Sequence, residues 1–493
     1  MKTIVVLMDS LNRHFLNVYN ETWTKTPNID RFAARSVVFD NHWLGSAPCM
    51  PARRDMLTGR LNFLETGWCG IQPFDVTLPA ILRSADIFTH IVTDHYHYFE
   101  IGGENYCQQF NTWDLHRGQE IDPWVSRVNK PEKPEKFYGR IYEQYELNRT
   151  RFVNKEDFSG PRTFAAACEW LEANKDADNY LLWVEAFDPH EPFDCPDEYL
   201  KLYDDDYNGP RYDWPNYAPA NEPGEAVAHI RRRYAACLTM IDECFGKLLD
   251  VCDRLNLWKD TLIIFTTDHG HMLGEHNYMG KNYMHMYNEL AHIPLIMHLP
   301  ESSRAGERVN ALTQNIDLVP TILDYYNIEI PKNIHGHSLR GIVEGTEEKV
   351  RDTALYGSHG MTVNITDGKY TYFRAPSDDN YPCFIYTAMP TTLWGYVGRF
   401  MENQIETCRP FKHTSYPVFK IPVTQQSKKC NFTSFVKESL LFNIQDDYKQ
   451  VRPIKDETIE KEMIYKLIDA MRASDAPIEQ YERLGLTNYI NHY

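Results

Sequence analysis

Several short stretches of this chain carry side chains that could do chemistry together. Cys49 lies between Pro48 and Pro51, where a loop enters a helix, and Arg53 follows within the next turn. The free N–H groups and the dipole at a helix N-terminus favour anions, so this is a place for a group that must meet an oxyanion. Asp268 and His269 stand side by side after an apolar run. A carboxylate and an imidazole so placed can both point at one cation. Asp9 ends another apolar run. His190, in Phe187-Asp188-Pro189-His190-Glu191-Pro192-Phe193, offers an imidazole that exchanges its proton near neutrality. Each has an ordinary explanation when taken alone. Cys49 could be a small buried thiol, the two Asp residues caps or turn residues, and His190 a loop histidine packed beside two prolines.

The elements that must position these groups are readable. Thr3–Met8 is a short apolar run, as a buried parallel strand would be. Pro27 opens an amphipathic helix, Ile29–Arg35, and Val37–Trp43 reads as a second strand. His90–Thr93 is a third, followed by His95-Tyr96-His97-Tyr98. Tyr180–Phe187, Thr261–Thr267 and Ile293–Leu299 read as strands. Phe164–Asn174, Glu225–Leu255 and Asp317–Tyr326 read as helices. Strands alternating with helices predict a mostly parallel sheet covered on both faces. Asp9, His190 and Asp268-His269 then fall just past the carboxyl ends of strands, where open α/β sheets bind ligands.

After about residue 350 the texture changes. Ala354–Tyr356, Met361–Ile365 and Lys369–Arg374 predict short antiparallel strands around the turn Thr366-Asp367-Gly368, and Ile459–Met471 predicts a helix. The expected division is an α/β catalytic domain over residues 1–350 and a smaller α+β subdomain over 351–493. Residues 100–160, 203–222 and 376–432 read as loops, the first laid over the site.

A chain of 493 residues with 43% hydrophobic content suits one large α/β domain with an appended subdomain. The formal net charge of −18 argues against a nucleic-acid partner, which would call for a basic patch or stripe. No apolar run approaches the roughly 20 residues that span a bilayer, so no membrane is expected. The 11 cysteines form no C-x-x-C pairs and suggest neither a zinc ribbon nor a disulfide scaffold. The opening apolar run is about five residues, short for a signal peptide. The chain therefore reads as cytoplasmic, with reduced thiols.

Taken together, the stretches resemble a known pattern. Cys49-Met50-Pro51-Ala52-Arg53-Arg54-Asp55-Met56-Leu57-Thr58-Gly59 has the form C-x-P-x-R followed by x-x-x-L-T-G. It resembles the signature of the formylglycine-dependent sulfatases of the alkaline phosphatase superfamily. Asp268-His269-Gly270-His271-Met272-Leu273-Gly274-Glu275-His276 resembles that family's D-H-G-x-x-L-G-E-H block. Glu438–Gln445 resembles its late E-L-Y-D-L segment. The resemblance implies the family's α/β sandwich, with a mostly parallel sheet, and hydrolysis of a sulfate ester on a small molecule or saccharide.

It also implies roles. Cys49 becomes formylglycine, converted by a maturation enzyme that reads Cys49, Pro51 and Arg53, and its hydrate attacks sulfur. Arg53 holds the hydrate and the charge gathering on it. Asp9, Asp268 and His269, with the group at position 49, hold one divalent cation. Two carboxylates plus an oxygen nucleophile suit Ca²⁺, and the imidazole leaves room for Mn²⁺ or Zn²⁺. Lys281, twelve positions after His269, matches a lysine that neutralises a sulfate oxygen. His190 binds the sulfate or protonates the leaving oxygen. His95 or His97 faces the pocket, with His95 preferred. Many sulfatases carry a second Asp immediately after the position of Asp9, where this chain has Ser10. That departure moves Ser10 to the substrate side with His95 and His97. It also leans the resemblance toward phosphonate monoester and phosphodiester hydrolases of the same superfamily.

Overall fold

The computed structural model describes residues 1–389, 391, 393, 395, 396, 405–423 and 436–490. At its centre is an eight-stranded sheet. Its order is Arg308–Val309, Val37–Phe39, Leu295–His298, Thr261–Thr266, Lys2–Met8, Tyr180–Ala186, Phe88–Thr93 and Thr112–Leu115. Neighbours run parallel, except that Leu295–His298 opposes both of its own. Tyr180–Ala186 and Thr261–Thr266 are buried along their whole length. Strands covered on both faces can be apolar at nearly every position, which is why they read so clearly.

Successive side chains of Lys2–Met8 go to opposite sides of the sheet. Ile4, Val6 and Met8 join the core under helices Pro27–Ala33, Ser159–Ala173 and Gly224–Arg254. Val5 and Leu7 join the core under Cys49–Thr58, Leu78–Ser84 and Leu318–Tyr325. The long helix Gly224–Arg254 begins after Pro223 and ends before Asn256, which takes a left-handed turn at φ 53°. Asn tolerates that conformation better than most residues, and it stops the helix there.

A second sheet has the order Leu440–Asn443, Tyr370–Arg374, Val363–Thr366, Ala354–Ser358, Ser46–Ala47. The helix Glu457–Ala473 covers it, packing Met463, Ile464, Leu467 and Ile468 against Val363, Ile365 and Tyr372. Asp456 caps this helix by accepting from the N–H groups of Thr458 and Ile459. The edge strand Ser46–Ala47 comes from the N-terminal half and leads directly into Cys49.

Three sequence expectations change in detail. The run expected as one strand over Val37–Trp43 is two. Val37–Phe39 joins the central sheet, and His42–Trp43 pairs with Thr313–Gln314. The polar pair between them breaks the run, because the Asp40 carboxylate accepts from Arg308 and Asn41 Oδ1 accepts from the Trp43 indole. The stretch 100–160 contributes the edge strand Thr112–Leu115 and the helix Glu143–Arg149. The strand was hidden because, at a solvent-facing edge, Thr-Trp-Asp-Leu shows no apolar pattern. Within 376–432, Phe384–Thr387, Val418–Pro422 and Glu406–Cys408 pair as a small antiparallel sheet. Of that expected loop, residues 390, 392, 394, 397–404 and 424–432 lie outside the described residues.

No helix among the described residues is long and apolar enough to cross a membrane.

Gly270 packs its backbone against the helix Asn288–Ala291, and its N–H donates to Leu290 O at 3.0 Å. An added Cβ would stand 1.8 Å from the carbonyl oxygen of Glu289. Backbone cannot yield as a flexible side chain can. Gly270→Ala is expected to lower folding stability by about 1–3 kcal/mol or more. Chemical denaturation checks this, and a variant as stable as the parent would show that the contact gives way.

Candidate active site

The groups singled out in the sequence converge at the carboxyl ends of the central strands. Asp9 follows Lys2–Met8, and Asp268-His269 follow Thr261–Thr266 by one residue. His190 follows Tyr180–Ala186, and His95 follows Phe88–Thr93. Cys49 is the first residue of the helix Cys49–Thr58. That helix is anchored at both ends. Asp55 accepts from Ser46 N at 2.6 Å and Ser46 Oγ at 2.9 Å, tying the helix to the strand before it. Gly59 ends it at φ 68°, with its N–H on Asp55 O at 2.8 Å. This accounts for the glycine in Leu57-Thr58-Gly59.

One turn along, Arg53 points back into the cluster. Its Nε donates to Glu185 Oε1 at 2.7 Å, Nη2 to Asp9 Oδ2 at 2.8 Å, and Nη1 to Asp268 Oδ2 at 2.6 Å and Cys49 O at 3.2 Å. All three carboxylates are fully buried. Burial alone would raise the Asp9 carboxyl, but Arg53, Lys281 and His269 outweigh it and hold Asp9 below the usual carboxylate range. Asp9 stays ionised. Ser10, at φ 58°, donates its hydroxyl to Asp9 Oδ1 at 2.8 Å and accepts from Lys281 Nζ at 2.9 Å.

His269 shows what the centre could hold. Its Nδ1 lies 2.7 Å from Gly270 O, which can only accept, so Nδ1 carries the proton. The lone pair on Nε2 then faces Cys49 Sγ at 3.2 Å and Asp268 Oδ2 at 3.3 Å. Ligand atoms from Asp9, Cys49, Asp268 and His269 all lie within 4.8 Å of one another. A lone pair and two carboxylate side chains turned toward one point fit a divalent cation.

Lys281 and His190 form the opposite wall. Lys281 Nζ lies 3.5 Å from Cys49 Sγ and 2.7 Å from His190 Nε2. Burial disfavours its charge, but Cys49, Glu191, Asp9 and Asp268 more than restore it, and the ammonium is firmly held. His190 Nδ1 lies 2.6 Å from Glu191 O. Burial, with Lys281 beside it, pushes the His190 imidazole down to about 3, so the ring is neutral. His95 lies at the site, with Nε2 3.6 Å from Asp9 Oδ2. His97 is turned away from the nucleophile, toward Glu100 at 3.0 Å and Glu120 at 3.4 Å. Burial opposes its charge, yet these two acids raise His97 to about 9.

The sulfatase family model matches residues 2–328. The chain belongs to the sulfatase family. It is 25% identical over 411 residues to an N-acetylglucosamine-6-O-sulfatase of Bacteroides thetaiotaomicron, covering 69% of this chain and 70% of that one. Among solved structures, it matches one described as a complex with its substrate D-glucosamine-2-N,6-O-disulfate. The TM-score is 0.66 at 18% identity, over 96% of this chain and 97% of that one. It also matches the phosphonate monoester hydrolase of Agrobacterium radiobacter, with a TM-score of 0.67 at 16% identity and 96% of each chain covered. These structures share the alkaline phosphatase-like fold. The chain is a sulfuric ester hydrolase, and its family implies formylglycine and a divalent metal.

The sulfatase site also contains residues that the sequence did not single out. Glu185 is the one acid in Tyr-Leu-Leu-Trp-Val-Glu-Ala, and a lone charge in a strand buried on both faces was a usable signal. Glu120 comes from the 100–160 segment, with Oε1 3.4 Å from His190 Nδ1, and no local pattern marks it. Glu191 and His271 flank recognised motif positions and are fully buried.

Replacing Arg53 by Met would leave Asp9, Glu185 and Asp268 without their shared partner. Breaking a buried ion pair from one side costs roughly 3–5 kcal/mol. Asp9 binds its proton less tightly folded than unfolded, so its contribution is full above the ordinary carboxylate range and is lost as pH falls through its lower folded value. Arg53→Met removes the chief cause of that depression. Melting temperatures should therefore fall most near neutral pH, and the deficit against the parent should narrow as pH falls through the carboxylate range, because the variant no longer loses the Asp9 contribution on acidification. A deficit that stays constant across acid pH would count against Arg53 as the pin.

Proposed function

We propose that this sulfatase hydrolyses a sulfate ester carried on a saccharide, using formylglycine at position 49 and one divalent cation. The observation that carries the reading is the place of Cys49 Sγ, between His269 Nε2 at 3.2 Å and Lys281 Nζ at 3.5 Å. Burial, with Asp9 and Asp268 nearby, pushes the Cys49 thiol well above its ordinary range. A buried neutral thiol is a poor nucleophile, so the position makes sense once the sulfur has been exchanged for oxygen. The saccharide is supported by the N-acetylglucosamine-6-O-sulfatase relative and by the neighbouring structure's glucosamine disulfate.

The chain's own residues divide the work. Asp9, Asp268 and His269 would hold the cation, with Ca²⁺ first and Mn²⁺ or Zn²⁺ as alternatives. Bound there, the cation and the formylglycine hydrate would supply a charge sink and an oxygen nucleophile. Lys281 faces position 49 and neutralises a sulfate oxygen. Arg53 reaches Cys49 through the carbonyl oxygen, and its main task is to hold the acidic ligands in place. The proton needed by the leaving alcohol lies between Lys281 Nζ and His190 Nε2, 2.7 Å apart. His95, beside Asp9, lines the same pocket. A maturation enzyme acting on Cys49 is the implied partner.

Ser10 favours a second reading, a phosphonate monoester or phosphodiester hydrolase on the same residues. Its neutral hydroxyl occupies a place beside Asp9 where many sulfatases have a carboxylate.

Peptide mass spectrometry of protein co-expressed with a maturation enzyme should show conversion of Cys49 from thiol to aldehyde, and Cys49→Ala should abolish nearly all turnover while remaining folded. Full turnover with only thiol at position 49 would sink the reading. Matured enzyme should hydrolyse sulfated sugars and aryl sulfates faster than an aryl phosphonate monoester. The reverse order would establish the second reading.

Lys281→Ala should lower kcat/KM by roughly 10²–10³, the loss typical of one preorganised charge-stabilising donor. Asp268→Ala should lose its bound metal in elemental analysis as well as its rate. Retention of metal by that variant would remove Asp268 from the ligand set.

A further inference from the structure

Glu191 has no part in the scheme above, yet its surroundings are unusual. Its side chain is fully buried, and neither carboxylate oxygen has a hydrogen-bond partner. A carboxylate in that state is strongly disfavoured unless positive charge or a proton donor stands close.

The neighbours are few and specific. Oε1 lies 4.0 Å from Lys281 Nζ. Oε2 lies 3.5 Å from His190 Nδ1 and 3.5 Å from His271 Nδ1. The backbone carbonyl of Glu191 is 2.6 Å from the same His190 Nδ1. On its other side, His190 Nε2 is 2.7 Å from Lys281 Nζ. Glu191 thus flanks both members of the pair, with its carbonyl and Oε2 behind the imidazole and Oε1 beside the ammonium. Glu120 also approaches His190 Nδ1, at 3.4 Å, but its other oxygen accepts from Tyr96 Oη at 3.0 Å and lies 3.4 Å from His97. Glu120 is engaged elsewhere, and Glu191 is not. His271, with both ring nitrogens lacking a hydrogen-bond partner, stands beside Oε2 and sets edge-on against Phe193.

We propose that Glu191 is the positioning residue for the leaving-group side of the site: its carboxylate aligns Lys281 and His190 so that their shared proton points at the departing oxygen. This rests on the sulfate-ester reading given above. As the nucleophilic oxygen at position 49 bonds to sulfur, the S–O bond to the alcohol breaks and its electron pair stays on the alcohol oxygen. That oxygen takes the proton held between Lys281 and His190. The water consumed in the hydrolysis returns a proton to the pair, so one ester and one water give one alcohol and one sulfate. Glu191 does not touch the reacting atoms. Its influence should scale with how much the departing oxygen needs a proton.

The test is a series of aryl sulfates whose phenols differ in acidity, assayed with matured enzyme. Glu191→Gln keeps the shape and removes the charge. It should lose on the order of 10²-fold in kcat/KM on phenyl sulfate, within the range that proton transfer contributes, and less than about tenfold on 4-nitrophenyl sulfate. The dependence on leaving-group acidity should therefore steepen, through kcat more than KM, and Glu191→Asp should give an intermediate slope. Equal losses across the series, or no loss, would overturn the proposal. If Glu191→Gln does not fold, Glu191→Asp decides alone, with a steeper slope supporting the role and an unchanged slope excluding it. A parent enzyme that hydrolyses no member of the series would overturn the underlying reading and this role with it. An active parent with an unchanged slope in the variants would overturn only the role of Glu191.

Discussion

The arrangement depends on one buried guanidinium. Arg53 reaches from a helix on one face of the sheet to carboxylates delivered by three neighbouring strands, with Asp9 from the middle strand and Glu185 and Asp268 from those flanking it. No pair of these acids could be buried so close together without a shared counter-charge. The fork geometry of arginine lets one side chain meet all three at fixed angles, which an ammonium could not do. Three acidic side chains meet one guanidinium, with Lys281 close by, and the surplus of carboxyl oxygens suits a cation-binding centre. Lys281, held as an ammonium beside the neutral His190 imidazole, stands across Cys49 from His269.

The second sheet belongs to the same constraint. Ser46–Ala47 pairs with Gly357 and Ser358, and Asp55 ties that strand to the helix carrying Cys49 and Arg53. Burial raises the Asp55 carboxyl to about 8 against the pull of its hydrogen bonds from Ser46 and Asn62, and the side chain serves as the hydrogen-bond hub that ties the helix to the strand before it. The C-terminal region therefore helps fix the angle at which the helix enters the site.

Much of this was legible in the sequence because burial leaves strong marks. The strands Lys2–Met8, Tyr180–Ala186 and Thr261–Thr266 are apolar nearly throughout, and the first residues past their ends are the polar ones that matter. Asp9, Cys49, Arg53, His190, Asp268, His269 and Lys281 sit in motifs with fixed spacing and meet in space. What escaped notice depends on tertiary contact. Glu120 reaches His190 from a segment without periodicity, so nothing in its neighbourhood in the chain reports its destination. The choice between His95 and His97 needed the turn at Tyr96–Phe99, which sends the first ring toward Asp9 and the second toward Glu100 and Glu120. Glu185 stood out as the lone acid of an apolar strand, whereas Glu191 was visible as an anomaly only once burial was known.

Burial of the stretch around Cys49 bears on the proposed conversion. Cys49, Pro51 and Arg53 are all buried in the folded chain, with Arg53 pinned by three acids and Pro51 held in the helix. A second protein cannot read a segment that is sealed in this way. If Cys49 is converted as proposed, conversion has to come while the segment is still extended, before the strands of the central sheet close over it. The proportion of competent enzyme would then be settled by a race between maturation and folding, and a molecule that folded first would keep its thiol for as long as it stayed folded.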